Sequence, residues 1–108
     1  MKPEYRYRAT CERVIDGDTF LARIDLGFYV GVEIRIRVHG VNAPELKTLE
    51  GKEARGWALD QLLDQPLIIE SYKDERSFER WVCDVYIDGK SYADMLIDAG
   101  HGTPMVRK

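Results

Sequence analysis

From Val30 to His39 the chain alternates without a slip. Val30, Val32, Ile34, Ile36 and Val38 fall on one side, and Glu33, Arg35, Arg37 and His39 on the other. A period of two belongs to a strand with one buried face and cannot be satisfied by a helix, whose faces repeat every 3.6 residues. The same alternation places Phe20, Ala22, Ile24 and Leu26 against Arg23 and Asp25, giving a second strand that stops before Gly27. Tyr5 to Ile15 reads as a first strand closed by the turn Asp16-Gly17. Pro66 precedes a short apolar strand, Leu67-Ile68-Ile69. Trp81, Cys83, Val85 and Ile87 then lead into Asp88-Gly89, a two-residue hairpin signal.

Two segments switch to helical spacing. Ala54, Trp57, Ala58, Leu62 and Leu63 recur at three- and four-residue intervals within Leu49–Leu63, although Gly51 and Gly56 weaken that helix. Tyr92, Met95, Leu96 and Ala99 follow the i, i+3, i+4, i+7 pattern, and Gly100 supplies the stop. Three strands, a helix, further short strands and a second helix predict a mainly β, α+β chain. The expected form is a five-stranded OB-fold barrel with one helix capping it and a short second helix. Residues 1–108 read as one domain, with its core over about 10–102 and a tail at 103–108.

The bulk properties narrow the function. Charged residues make up 32% and the net charge is -3, which disfavours a broad basic surface that holds nucleic acid and leaves room for a local acidic site. No stretch approaches the roughly 18 apolar residues of a membrane span. The polar start, Met1 to Arg6, predicts a cytoplasmic protein, or a secreted one if a signal has been removed. Cys11 and Cys83 each fall in a strand and are expected as buried thiols. His39 and His101 have no second ligand at metal spacing, so a zinc site is not expected. Trp57 and Trp81 are expected in the core or at its rim.

Four pieces carry candidate chemistry. Asp16-Gly17-Asp18 sits at a strand-to-strand turn, where carboxylates can converge on a hard cation or simply form an Asx turn. Arg37 lies on the polar face of its strand, and a guanidinium fork suits phosphate; a solvated strand charge is the plainer alternative. Pro44 stiffens Asn42-Ala43-Pro44-Glu45 as that strand runs out. Arg80 closes the mixed charge run Lys73–Arg80, most simply a solvent-facing loop.

In order and spacing these pieces resemble the staphylococcal nuclease (thermonuclease) family. The matching text is Val14-Ile15-Asp16-Gly17-Asp18-Thr19-Phe20, Ile36-Arg37-Val38-His39-Gly40-Val41-Asn42-Ala43-Pro44-Glu45, Gly51-Lys52-Glu53-Ala54, Glu79-Arg80-Trp81 and Asp88-Gly89-Lys90. The resemblance runs from about Thr10 to Gly102. It implies a metal-dependent nuclease, with DNA or RNA as substrate and Ca²⁺, or else Mg²⁺ or Mn²⁺, as cofactor. By the same resemblance Asp18 ligates the metal with Asp16 behind it, and Asn42 and the Ala43 carbonyl complete the protein's share. Glu45 orients or deprotonates the attacking water, while Arg37 and Arg80 bind the scissile phosphate and Phe78 offers a ring to the substrate. The chain is expected to act as a monomer, with no membrane partner.

The sequence departs from the family in informative places. Asn42 stands where the family carries Asp, which removes one negative charge and predicts weaker metal binding or a changed metal preference. Phe78-Glu79 replaces a frequent Tyr-Gly, losing a hydroxyl and adding a carboxylate. These changes keep two alternatives open: an OB-like module that grips single-stranded nucleic acid without cutting it, and a protein-interaction domain on the same barrel. Tyr5, Arg6, Tyr7 and Arg8 interleave aromatic and basic residues as a stacking surface does, or as an amphipathic edge strand does.

Overall fold

The computed structural model describes residues 5–77 and 80–105, with side chains described outside 72–80. Phe78 and Glu79 therefore lie outside the described residues, as does the side chain of Arg80. In chain order the elements are β1 (Tyr5–Asp16), β2 (Thr19–Asp25), β3 (Gly31–Val38), β4 (Val41–Asn42), α1 (Leu49–Leu62) and β5 (Pro66–Ser77). They continue with β6 (Arg80–Ile87), β7 (Lys90–Ser91), α2 (Tyr92–Asp98) and β8 (Thr103–Pro104).

The five long strands close into a mainly β, OB-like barrel, in the order β3-β2-β1-β5-β6. Closure comes from a short parallel contact in which Ile36, Arg37 and Val38 of β3 pair with Trp81, Val82 and Cys83 of β6. Strand β1 pairs with β5 along one edge, from Tyr5↔Ser71 to Thr10↔Pro66, and with β2 along the other, from Arg8↔Asp25 to Asp16↔Thr19. The ladder to β2 is broken between Cys11 and Arg13 and again between Val14 and Asp16, where an extra residue in β1 sharpens the twist.

Inward side chains from all five strands form the core, among them Phe20, Ile24, Ile36, Val38, Leu67, Ile69 and Val85. Helix α1 closes one end of the barrel by burying Ala54, Ala58 and Leu62, chiefly against β1. Thr48 caps its N-terminus, its hydroxyl accepting from the Gly51 N–H. Helix α2 buries Tyr92 and Leu96 and ends in a Schellman motif: Gly100 N–H donates to Ile97 C=O, and His101 N–H to Leu96 C=O. Gly100 takes φ +82, which is why glycine stands at that stop. Both thiols are fully buried as expected, and burial pushes Cys11 up to about 11 and Cys83 up to about 12. Among the described residues, no helix is long and apolar enough to cross a membrane.

Three details differ from the sequence reading. Strand β5 continues to Ser77, so most of the charge run read as a loop is a hairpin arm, with Arg76↔Trp81 and Ser77↔Arg80 paired. The first residues of the expected tail form β8 instead, pairing Val41↔Pro104 and Asn42↔Thr103. The apolar face of β3 also outruns the core, since Val30 and Val32 remain 54% and 40% exposed.

Candidate functional site

The sharp turn between β1 and β2 is held from three sides. Asp16↔Thr19 is the last pair of the ladder, and Asp18 N–H donates to Asp16 Oδ1 at 3.1 Å, which makes the turn an Asx turn. Gly17 packs so closely that a Cβ there would lie 2.8 Å from the Ala43 Cβ and 3.2 Å from that of Ala54. The buried Tyr92 hydroxyl donates to Gly17 C=O at 2.6 Å, tying the turn to α2. Burial, with the Asp18 and Asp16 charges nearby, raises the Tyr92 pKa, so the hydroxyl remains a donor.

Asp18 is pinned in the buried wall of this end of the barrel. Its Oδ1 accepts from the Thr19 hydroxyl at 3.0 Å, and its Oδ2 accepts from the Ala43 N–H at 2.8 Å. Arg37 Nη1 stands 3.5 Å from the same Oδ2. Burial raises the pKa of Asp18, but its contacts with Asp16, Ala43, Arg37 and Thr19 outweigh that and hold it below the ordinary value. Asp16 goes the other way. Burial first, and then the neighbouring Asp18, push it up to about 6.

Arg37 comes from β3 with its side chain 11% exposed. Its Nη1 donates to Val38 C=O at 2.8 Å and to Val41 C=O at 2.7 Å, and its Nη2 donates to Asn42 Oδ1 at 2.5 Å. One guanidinium thus spans the carboxylate of Asp18 and the amide of Asn42, and it folds the 38–42 segment around itself. Asn42 is in turn fixed from outside by its pairing with Thr103 in β8.

Glu45 is fixed by its backbone and exposed at its side chain. Thr48 donates to Glu45 C=O from its hydroxyl at 2.7 Å and from its N–H at 3.0 Å. Gly51 lies against that carbonyl with no room for a side chain, a Cβ falling 1.9 Å from the oxygen. The Glu45 carboxylate faces solvent and pairs with Lys47 at 3.3 Å. A cleft of about 270 Å³ opens beside Asn42, Ala43 and Pro44, walled on its far side by residues 100–103. His101 lines it and packs on Trp57, their ring centroids 5.6 Å apart.

Asp16, Asp18, Arg37, Asn42 and Ala43 therefore meet at one end of the barrel, and Glu45 follows directly on the same loop. Thr19, Tyr92 and Gly17 hold the arrangement; Gly17 and Thr19 belong to the turn motif read from sequence, whereas Tyr92 has no such signal. Tyr92 looked like one more member of an apolar helical stripe, and its hydroxyl carried no signal of where it ends. Among the described residues no three His, Cys, Asp or Glu side chains converge on a point. The oxygen donors brought near one another are the Asp18 carboxylate and the Asn42 amide, both against the Arg37 guanidinium, with Asp16 behind Asp18. Such a donor set fits a hard divalent cation and not a soft one.

The interleaved Tyr5–Arg8 segment splits by strand alternation. Tyr5 and Tyr7 stack at 6.4 Å, with Tyr7 against the core, while Arg8 lines a separate open groove on the other face. That groove, of about 1020 Å³, is lined by none of the candidate residues. In comparison with known proteins, no family model and no curated sequence matches the chain.

Proposed function

We propose that the chain is a metal-dependent phosphodiesterase that cleaves DNA or RNA at this end of the barrel. The observation that carries the reading is the single guanidinium of Arg37 held against both Asp18 and Asn42, two groups 24 residues apart that the fold brings together. Asp18, Asn42 and the Ala43 carbonyl would hold a divalent cation, with Asp16 supporting Asp18. When bound, the cation supplies positive charge to the scissile phosphate, the kind of stabilisation that usually dominates such reactions. Arg37, which lies against both ligand residues, would bind a phosphate oxygen, and Arg80 is the second cation in this reading. Glu45 is a carboxylate on a rigid loop with a solvated head, suited to accept a proton from an attacking water. The resemblance to the staphylococcal nuclease family supports the same assignment.

The second reading, a non-catalytic nucleic-acid-binding or protein-interaction barrel, draws on one observation. Arg37 spends three hydrogen bonds on its own chain, so it must give some of them up to clamp a phosphate. Incubation with single-stranded DNA, double-stranded DNA and RNA in Ca²⁺, Mg²⁺, Mn²⁺ or EDTA separates the two. Cleavage that EDTA abolishes, and that Glu45→Gln and Arg37→Ala both lose, supports the nuclease. Binding without cleavage under every cation supports the module.

A further inference from the structure

Only Ile36, Arg37 and Val38 of β3 pair with β6, because β6 begins at Arg80. Among the described residues, the stretch of β3 before Ile36 has no strand on that side. The ladder phase shows which groups face the open edge. Leu26 N–H donates to Val30 C=O at 2.8 Å, so the even-numbered residues of β3 bond to β2. The N–H and C=O groups of Gly31 and Glu33 and the N–H of Arg35 therefore face the open edge, whereas Arg35 C=O is taken up by the Ile36↔Trp81 bridge to β6. His39 N–H, on the same edge and phase, donates to Cys83 C=O.

The hairpin that carries this edge is also unusually apolar. Leu26, Val30 and Val32 are exposed, and Phe28 and Tyr29 at its tip are fully so. Both tip aromatics hold left-handed backbone, φ 56 and 59, which non-glycine residues rarely adopt. An open, apolar strand edge is a template for another strand unless something covers it.

We propose that this edge is covered by a second copy of the chain, through an antiparallel two-fold β3–β3 ladder centred on Val32. The register follows from what is already on the edge. From Ile36 onward β6 occupies it, so the partner chain must turn away before reaching that point. Centring on Val32 brings the partner's hairpin turn to that place, opposite Ile36. It sets Val32 against the partner's Val32 and Val30 against the partner's Ile34, extending the apolar face across both copies. Centring on Glu33 instead would oppose two like carboxylates and drive the partner's strand into β6.

Charge favours the same register. Gly31 has no side chain, and the Arg23 guanidinium fills that place, its atoms 2.9 to 3.0 Å from where a Cβ would be. Directly opposite Gly31 in this ladder stands the partner's Glu33. Each Arg23 thus faces the partner's Glu33, twice by symmetry. Within one copy the neighbouring Glu33 carboxyl raises the pKa of Glu12, a crowding of like charges that the partner's guanidinium relieves. A two-fold interface of this kind is self-complementary and closes on itself. It departs from the monomer expected of the sequence and is independent of the nuclease reading.

Sedimentation equilibrium or light scattering on the full chain is expected to give twice the 12.5 kDa chain mass, with dissociation on dilution. Glu33→Pro removes an outward N–H that bonds to nothing within the ladder to β2, and Val32→Lys places a charge in the seam; both are expected to be monomeric barrels by circular dichroism. Register is read by cysteine. Opposed residues of a non-hydrogen-bonded pair lie about 4.5 Å apart at Cα, within disulfide reach. Val32→Cys is therefore expected to cross-link to a dimer under mild oxidation, whereas Val30→Cys and Ile34→Cys cross-link only when mixed. A single-chain mass up to sub-millimolar concentration overturns the proposal. So does a dimer that survives Val32→Lys, or a Val32→Cys protein that cross-links no faster than a cysteine placed at exposed Lys90.

Discussion

Helix α1 contains two glycines whose replacement by alanine is expected to act in opposite directions. Gly56 is exposed, with nothing within 4 Å of a Cβ placed there. Alanine is a better helix former than glycine by about 0.8–1 kcal/mol, so Gly56→Ala is expected to stabilise by about that amount. At Gly51 the same gain in propensity is available, but the new methyl would meet Glu45 C=O at 1.9 Å, Glu45 C at 2.5 Å and Leu46 Cα at 3.0 Å. An ordinary contact needs about 3.4 Å or more, so the 45–48 segment must retreat by roughly 1.5 Å, a clash at the severe end of overpacking. Moving it also loosens the two bonds from Thr48 to Glu45 C=O. Overpacking of about 2–3 kcal/mol, a lost hydrogen bond of about 1 kcal/mol and the propensity gain leave Gly51→Ala destabilised by about 2–3 kcal/mol. Thermal unfolding by circular dichroism reads both, since 1 kcal/mol shifts Tm by about 4–8 °C in a domain of this size. Gly56→Ala should melt higher and Gly51→Ala at least about 8 °C lower. Two variants that both melt higher would refute the close approach of α1 to the loop that carries Glu45.

Other outcomes follow from the same geometry. Tyr92→Phe leaves Gly17 C=O without its buried donor and is expected to cost about 1–2 kcal/mol in urea unfolding; an unchanged midpoint would count against that bond. Asp16 rises from 3.8 to about 6 on folding, so its folded form prefers the proton. Its effect is therefore a loss of stability as pH climbs from roughly 4 to 6. A rise of that size corresponds to about 3 kcal/mol at most. Because the carboxyl is only half-buried, Asp16→Asn should gain on the wild type by about 1–2 kcal/mol across that window. Parallel stability curves for the two proteins would exclude a raised Asp16. Arg37→Ala removes three hydrogen bonds and leaves Asp18 buried beside fewer donors, for an expected loss of about 2–4 kcal/mol measured by denaturant titration; a stable Arg37→Ala protein would mean the guanidinium does not bind the 38–42 segment together.

Much of the barrel was legible because its strands alternate and its turns carry glycine where φ must be positive. Asp88-Gly89 takes φ 51 and 79, the two-residue hairpin its sequence announces. The bulge in β1 was not legible. Burial passes from Ala9 and Cys11 to Val14, three residues on, and nothing in the side chains of Cys11-Glu12-Arg13 reports the extra residue. Nor does polarity report pairing, which is why the charged stretch through Ser77 read as a loop although its backbone forms a hairpin arm. At the site, the positions of Asp18, Arg37 and Asn42 were expected from the family resemblance. Their mutual contacts were not, since a strand pattern shows which face Arg37 takes and not that its guanidinium turns back onto Val38, Val41 and Asn42. The two-residue pairing of β4 with β8, which fixes Asn42 from outside, is too short to leave any periodicity in the sequence.

The most direct test of the site is a cleavage assay with Ca²⁺ comparing the wild type, Asp18→Asn and Asn42→Asp on one DNA substrate. The expected results are cleavage by the wild type, a loss of about 100-fold or more in Asp18→Asn, and a lower Ca²⁺ requirement in Asn42→Asp, which restores a negative ligand. Full activity in Asp18→Asn, or no cleavage by either the wild type or Asn42→Asp, would contradict it.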